Sequence, residues 1–212
     1  MFFVGREKET KKILRAIEQC RNVIVTGKFG MGRTGLLRHI SDVYGKRWRF
    51  IFVDFSKTPN QVCTDILAEL SPGKRNKHVG QDQRYKVKRH RITTVKCKDA
   101  RPIVLVLDNI EKLTRQRLAL IRYLSWEKSF FFIAITESFL HENDSFLLRA
   151  ELLPECIIRL GRVNRRKSIE FFKSVSEGKK IAWTADQICM LAETTRGYPL
   201  GMQEIAEREM KK

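Results

Sequence analysis

The segment Val23–Leu37 places an apolar run directly before a glycine-rich turn and a second apolar run. From Gly27 to Thr34 the chain reads GKFGMGRT, which meets the phosphate-loop pattern G-x-x-x-x-G-K-[ST] everywhere except at Arg33, where lysine is expected. Glycines permit the backbone angles that turn amide N–H groups toward phosphates, and a following helix presents its positive end to them. The segment therefore predicts a strand, a phosphate-binding loop and a helix.

Individual residues of this loop are predicted to have separate roles. The Thr34 hydroxyl would bind Mg²⁺, and Arg33 keeps the charge of lysine on a longer, planar group, so the replacement is not conservative. Lys28 is interpreted either as a compensating charge or as a solvated loop lysine. A glycine-rich turn without a ligand is the alternative for the loop as a whole. The residues predicted to bind the nucleotide here are Gly27, Lys28, Gly30, Met31, Gly32, Arg33, Thr34 and Gly35.

The charge of the chain points to a polyanionic partner. Its 212 residues carry a formal net charge of +18, which most simply indicates a nucleic acid. Residues 73–98 contain ten of the basic residues and one acid, so this basic insert is predicted to be a surface loop or mobile hairpin. A solvated charge run that binds nothing is the alternative. The predicted DNA contacts are Lys74, Arg75, Lys77, Lys86, Lys88, Arg89 and Arg91.

Cysteine usage and hydropathy bear on the compartment. The five cysteines are scattered and none forms a C-x-x-C pair, which predicts reduced, mostly buried thiols and no metal or disulfide framework. No apolar run approaches the ~18–20 residues of a membrane helix. The N-terminal residues lack the pattern of a signal peptide. We therefore expect a cytoplasmic protein without a membrane partner.

Apolar strand-like runs alternate with helical patterns as far as Gly161, which predicts an α/β domain with a parallel sheet covered on both faces. Three further helical patterns follow and predict a small helical lid, so the expected domains are residues 1–161 and 162–212. Strands are predicted at residues 22–26, 49–55, 102–108, 130–136 and 156–160. Helices are predicted at residues 6–19, 34–44, 59–70, 164–176, 184–195 and 200–210.

A second motif complements the phosphate loop. The apolar run that begins at Ile103 leads directly into Asp108. Because the carboxyl ends of parallel strands share one edge of the sheet, Asp108 is expected beside the loop after the first strand. A carboxylate there can hold Mg²⁺ together with a phosphate oxygen. The two motifs support each other, and Thr34 and Asp108 are the predicted metal-binding pair.

Five segments carry a resemblance to a known family: FVGRE at Phe3–Glu7, the loop GKFGMGRT, LVLDNIEKL, FFFIAITES, and RGYPLG at Arg196–Gly201. In this order they resemble P-loop ATPases of the AAA+ group, both origin-recognition-like and archaeal-type, and of the STAND group. The resemblance implies a P-loop NTPase three-layer α/β sandwich with a five-stranded, mainly parallel sheet, followed by a small helical lid. It also implies ATP or ADP and Mg²⁺ as cofactors.

The resemblance implies roles for matching positions. Thr136, at the end of the fourth strand, matches a sensor of the γ-phosphate, although a plain strand-end threonine is the alternative. Arg149 is placed like an arginine finger that acts on the ATP of a neighbouring subunit, although a surface arginine is the alternative. The residues implied to lie near the base of the nucleotide are Val4, Gly5, Arg6 and Pro199.

Two departures from the family pattern bear on hydrolysis. Asn109 stands where many hydrolysing relatives have a glutamate, and its amide can hydrogen-bond a water molecule but cannot accept its proton. Glu111 is interpreted either as a second contributor to this chemistry or as a solvated acid in the first turn of a helix. Together with Arg33, Asn109 predicts slow hydrolysis, or binding without hydrolysis.

Two functions follow from these expectations. The first is an ATP-binding, AAA+-like regulatory ATPase that associates with DNA in transposition, replication initiation or recombination, with slow or DNA-dependent hydrolysis and self-association when ATP is bound. The alternative is a STAND-like signalling switch, or a nucleotide-binding scaffold without significant hydrolysis. The steepness of the salt dependence of DNA binding and the effect of DNA on ATP turnover distinguish the two.

Overall fold

The computed structural model describes residues 4–71, 84–95, 99–127, 129–179 and 181–210. Within these ranges the chain forms five strands and nine helices. The strands are β1 (Val23–Gly27), β2 (Arg49–Asp54), β3 (Ile103–Ile110), β4 (Phe131–Glu137) and β5 (Cys156–Leu160). The helices are α1 (Glu7–Glu18), α2 (Arg33–Tyr44), α3 (Pro59–Leu70), α4 (Tyr85–Thr94), α5 (Arg115–Trp126), α6 (Glu142–Leu152), α7 (Arg165–Lys179), α8 (Ala185–Thr195) and α9 (Pro199–Glu209).

The strands form one sheet in the order β2-β3-β4-β1-β5, and every pair of neighbours in it is parallel. The apolar runs explain this arrangement, because a parallel sheet is covered on both faces and successive side chains point to opposite sides. In β3, Val104 and Val106 pack with α1 and α2, whereas Leu105 and Leu107 pack with the helices of the opposite face. The predicted parallel sheet is confirmed.

Helices cover the two faces of the sheet unequally. One face packs against α1 and α2 through residues such as Ile13 and Leu37. The other packs against α3, α4, α5 and α6, with Ile66, Ile121 and Leu148 in the same cluster of buried side chains. The predicted three-layer α/β sandwich is therefore confirmed, and its sheet brings the carboxyl ends of β1, β3 and β4 to one edge.

The helical lid has a separate small core. Phe172 of α7, Ile188 of α8 and Met202 of α9 are buried together. Helix α8 begins with a capping box, in which Thr184 and Gln187 satisfy each other's backbone N–H groups. The three helices match the predicted ones, with α7 extending to Lys179. The division of the chain into two domains at residue 161 stays a prediction.

Helix α4 corrects the interpretation of the basic insert. Residues 73–98 were expected to be a surface loop or hairpin outside the core, but Tyr85–Thr94 is a helix whose Ile92 is buried among the side chains of α3. Tyr85, Arg89 and Ile92 recur at helical spacing, so one face of this charged segment is able to pack. The predicted contacts Lys74, Arg75 and Lys77 lie outside the described residues.

The cysteines are less buried than expected. Among those described, Cys63 is buried, Cys156 and Cys189 are partly buried, and Cys20 is exposed, so the expectation of mostly buried thiols is wrong. Burial raises the pKa of the Cys63 thiol to about 12, against the opposing effect of the nearby Arg89 and Lys88 charges. Separately, none of the helices described here is long and apolar enough to span a membrane.

Candidate functional site

The phosphate loop connects β1 to α2 at the edge where the strands end. Gly30 and Gly32 have φ angles of +75° and +78°, which residues with a Cβ rarely adopt. Gly27 is required for a different reason, because a Cβ there would lie 2.9 Å from the carbonyl oxygen of Leu160. Lys28 is exposed in this loop. The loop therefore has the backbone conformation that was predicted for it, and its binding of phosphate stays a prediction.

Thr34 and Asp108 meet directly. Thr34 lies in the first turn of α2 and Asp108 near the end of β3, and the Thr34 hydroxyl donates a hydrogen bond of 2.9 Å to Asp108 Oδ2. Magnesium prefers such hard oxygen ligands and usually takes only one or two from protein, with waters and phosphates completing its octahedron. These two residues fit a Mg²⁺ site that a nucleotide would complete. No cluster of three or more metal-ligating side chains occurs among the described residues.

Arg33 does not extend freely into the loop. Its guanidinium forms an ion pair with Glu137, the last residue of β4, and donates a second hydrogen bond of 2.5 Å from Nη1 to the carbonyl oxygen of Thr136. The exposed fractions of the two paired side chains are 10% and 12%. The cation at the position of the motif's lysine is therefore already neutralised within the protein.

The local structure explains the presence of asparagine at position 109, which the sequence does not explain. Its φ is +58°, and asparagine tolerates this left-handed conformation better than most residues. It lies where the pairing of β3 with β4 becomes irregular, and its side-chain amide donates to Asp54 Oδ1 at 3.2 Å. Burial acts to raise the pKa of Asp54, but hydrogen bonds from Ser56 and Asn109 outweigh it and hold the pKa below its usual value.

Two of the remaining catalytic candidates line one cavity, and the third, Glu111, lies apart from them. Thr136 is buried at the end of β4, whereas Arg149 is exposed on α6, and both line a cavity of ≈ 420 Å³ together with Glu137. Glu111 is exposed in the connection between β3 and α5, so its interpretation as a first-turn helix acid is wrong. The roles of Thr136, Arg149 and Glu111 in hydrolysis stay predictions.

The lid contacts the phosphate loop through the segment RGYPLG. The backbone N–H of Leu200 donates to the carbonyl oxygen of Gly30 at 3.1 Å, and the Tyr198 hydroxyl donates to that of Phe29 at 3.4 Å. A Cβ at Gly30 would lie 2.1 Å from the Tyr198 hydroxyl oxygen, so only glycine fits beneath this ring. The N-terminus of α9 therefore rests on the loop.

A cavity of ≈ 730 Å³ lies between the lid and the loop, which is large enough for a nucleotide. Arg6 is buried at its edge and donates to the carbonyl oxygens of Met31 and Gly161, so it joins the loop to the connection that follows β5. Gly5 has a φ of +86° and lies against Lys167 and Val163. The predicted nucleotide-binding residues that line the cavity are Val4, Arg6, Gly30, Met31, Gly32, Thr34, Gly35 and Pro199.

The basic residues of α4 differ in their exposure to solvent. Lys86 is exposed, and Arg91 is partly buried. Lys88 is 2% exposed and donates from Nζ to the Thr64 hydroxyl at 3.0 Å, so the expectation that it contacts DNA at the surface is wrong. The Arg89 guanidinium lies 4.1 Å from the centroid of the Tyr123 ring, where a cation–π contact holds it against α5.

Comparison with known protein families shows which family the chain belongs to. The family model described as the AAA ATPase domain matches residues 3–132, which is more than half of the chain. The chain belongs to this AAA ATPase domain family. No curated protein sequence matches this AAA ATPase domain.

Solved structures share the fold of this AAA ATPase domain at low sequence identity. The Orc1 protein of Aeropyrum pernix in complex with DNA is similar with a TM-score of 0.73 and 17% identity, over 98% of this chain and 62% of that one. Cdc6p from Pyrobaculum aerophilum is similar with a TM-score of 0.68 and 12% identity, over 97% of this chain and 62% of that one. The RuvB Holliday junction branch migration motor of Thermotoga maritima is similar with a TM-score of 0.61 and 18% identity, over 97% of this chain and 62% of that one. The chain thus spans about three fifths of the length of these proteins.

Three residues of the site were not predicted from sequence. Glu137 and Asp54 are the last residues of β4 and β2, and Tyr198 precedes Pro199 in the lid segment. The rule that singled out Asp108, a polar residue at the end of an apolar strand, applies equally to Glu137 and Asp54. The contact of Tyr198 with Gly30 had no comparable signal, because the two residues are far apart in sequence.

Proposed function

We propose that this AAA ATPase domain binds ATP together with Mg²⁺ and acts as a nucleotide-dependent regulator that associates with DNA. The nucleotide part rests on one observation, the 2.9 Å hydrogen bond between Thr34 Oγ1 and Asp108 Oδ2 beside the glycine-rich loop. Thr34 and Asp108 would hold the ion, and bound Mg²⁺ supplies charge neutralisation for the phosphate oxygens. The cavity between loop and lid accommodates the rest of the nucleotide.

Hydrolysis is proposed to be slow or dependent on DNA. Asn109 orients its amide toward Asp54 and has no carboxylate to accept a proton from water. Arg33 is neutralised by Glu137, so it offers little net charge to a transferring phosphoryl group. The same ion pair favours the second candidate function, a STAND-like signalling switch or nucleotide-binding scaffold without significant hydrolysis.

The proposed association with DNA rests on charge. The chain carries a net charge of +18, and Lys86 on α4 is exposed on the layer of the sandwich opposite α1 and α2. Exposed lysines contact the phosphate backbone without reading sequence. The structurally similar Orc1 protein was solved in complex with DNA, which supports the same class of partner here.

ATP turnover measured with and without duplex DNA tests the regulatory ATPase directly. We expect basal turnover below the median of about 10 s⁻¹ for enzymes, and an increase when DNA is added. Light scattering on the same samples measures whether ATP causes self-association, which would place the exposed Arg149 near a second copy. Tight ATP binding without turnover in either condition would favour the switch or scaffold instead.

A salt series tests the contact with DNA. Affinity for a duplex is expected to fall steeply between about 50 and 200 mM salt, because phosphate contacts release counterions. Replacing Lys86 with alanine should reduce the slope of log affinity against log salt by about 0.9 if it contacts one phosphate. Lys11→Ala, an exposed lysine on α1 across the sheet, is the matched control and should leave the slope unchanged. A flat salt dependence in the unmodified protein would contradict the proposal.

A further inference from the structure

The ion pair between Arg33 and Glu137 lies at the edge of the sheet where the phosphate loop begins. Arg33 is the first residue of α2 and Glu137 the last of β4, and both side chains are nearly buried. The guanidinium also donates to the carbonyl oxygen of Thr136, so both of its terminal nitrogens are committed to β4. Such a buried pair is harder to break than a surface pair, because a lone charge would remain desolvated.

Strand register explains why the carboxylate reaches this position. In the parallel pairing of β1 with β4, Gly27 lies opposite Glu137, so Glu137 stands beside the first residue of the phosphate loop. Strand β4 lies between β1 and β3, and Asp108 of β3 makes the hydrogen bond to Thr34. Glu137 therefore stands close to the loop in addition to Asp108, and of these two acidic side chains the proposed Mg²⁺ site uses only Asp108.

Glu137 is incompletely satisfied by its protein neighbours. Its Oε1 accepts from Arg33, but its Oε2 is buried without a hydrogen-bond partner among the described residues. A buried carboxylate oxygen with no donor is costly, so its presence calls for an explanation. Its negative charge would repel another anion that approached Arg33.

We propose that Glu137 is a specificity-determining residue that makes the nucleotide site favour ADP over ATP. In the phosphate-loop motif, the side chain at position 33 reaches the β- and γ-phosphates. Here a third phosphate must compete with Glu137 for Arg33, and it must also lie near the Glu137 carboxylate, whose Oε2 has no donor among the described residues. The loop amides and Thr34 serve both nucleotides, so their contributions largely cancel in the affinity ratio. The inference rests on the proposed nucleotide binding and adds the selectivity of that site.

The test is the ratio of the dissociation constants for ATP and ADP, measured by calorimetry in excess Mg²⁺. We expect the unmodified protein to bind ADP more tightly than ATP. Glu137→Gln keeps the shape of the side chain and removes the charge. It should increase the affinity for ATP relative to that for ADP by about 30-fold, which is the effect of one charge at ~7 Å in a partly screened site.

Glu142→Gln is the matched control. Glu142 and Glu137 both line the cavity of ≈ 420 Å³, but Glu142 is exposed at the start of α6. Losing the charge of Glu142 should therefore change the ratio of dissociation constants less than about fivefold. If both nucleotides bind but Glu137→Gln leaves the ratio unchanged, the inference fails and the proposed function stands. A shift toward ADP would show that Glu137 instead positions Arg33 for ATP, which also overturns the inference. If neither nucleotide binds any of the proteins, the proposed function fails as well.

Thermal unfolding of each variant separates selectivity from loss of fold. Glu137→Gln leaves Arg33 without a counter-ion, so its stability is measured before its affinities. If that variant does not fold, Glu137→Ser replaces it, because the smaller side chain leaves room for water around the guanidinium. The expected shift of the ratio toward ATP is the same, and an unchanged ratio again overturns the inference.

Discussion

Replacing Thr34 with alanine is expected to lower the affinity for Mg²⁺-ATP by about 10- to 100-fold, the range for losing a hydrogen bond to a charged group or a partner of a metal ligand. The hydroxyl lies 2.9 Å from Asp108 Oδ2, so the substitution removes one of the two oxygens that fit Mg²⁺. Titration calorimetry in excess Mg²⁺ measures the loss. Removing the metal with a chelator should bring the unmodified protein close to the affinity of the variant.

Asp108→Ala should lower the affinity for Mg²⁺-ATP at least as much as Thr34→Ala, since it removes the other member of the pair together with its negative charge. The backbone N–H of Asn109 also donates to Asp108 Oδ1, so Asp108→Asn is the variant that better preserves the local turn. Thr194→Ala is the control, because that hydroxyl is exposed on α8 and donates to the carbonyl oxygen of Met190. Unchanged Mg²⁺-ATP affinity in both site variants would show that the phosphate loop does not bind nucleotide.

The sheet could be predicted from sequence because hydrophobic burial alone specifies it. Strands that are apolar on both faces, such as Ile103–Leu107, leave few arrangements other than a parallel sheet between helices. The observed strands differ from the predicted ones by at most two residues at either end, and β5 matches its prediction. The largest difference is β3, which continues to Ile110 through an irregular pairing, and Asn109 has a positive φ within this irregular part.

Charge obscured the structure of the basic insert. Ten basic residues suggested a solvated loop, yet Lys88 extends its chain along the interior and ends at the Thr64 hydroxyl. The Arg89 guanidinium packs on the ring of Tyr123 in α5, a helix that was not among those predicted. Both contacts are tertiary, so composition could not distinguish a charged surface segment from a charged helix with one buried face.

The site was predictable to the extent that it follows from strand ends. Thr34 and Asp108 each belong to a motif, and adjacency in the sheet brings them together. The partner of Arg33 was not predictable, because it depends on the register that sets Gly27 opposite Glu137 and on the direction taken by a long side chain. A lysine at this position is the motif's rule, and the sequence alone showed only that the rule was broken.

The lid depends on a glycine whose backbone conformation and close neighbour both disfavour a side chain. Gly197 has a φ of +69°, and a Cβ there would lie 1.8 Å from the carbonyl oxygen of Val163. Gly197→Ala is therefore expected to lower the free energy of unfolding by about 2–4 kcal/mol, from backbone strain and a clash with main chain that cannot rotate away. For a chain of this size the melting temperature should fall by roughly 5–15 °C, which calorimetric or optical thermal unfolding measures.

Gly161→Ala provides the control for this substitution, because a Cβ at Gly161 meets nothing within 4 Å and the residue lies two positions before Val163. It should leave the melting temperature nearly unchanged. Gly197→Ala should also weaken nucleotide binding, since Val163 and Gly197 pair through a 2.8 Å backbone hydrogen bond just before Tyr198 and Leu200 reach the phosphate loop. If Gly197→Ala is as stable as Gly161→Ala, the lid does not require the observed contact between Gly197 and Val163.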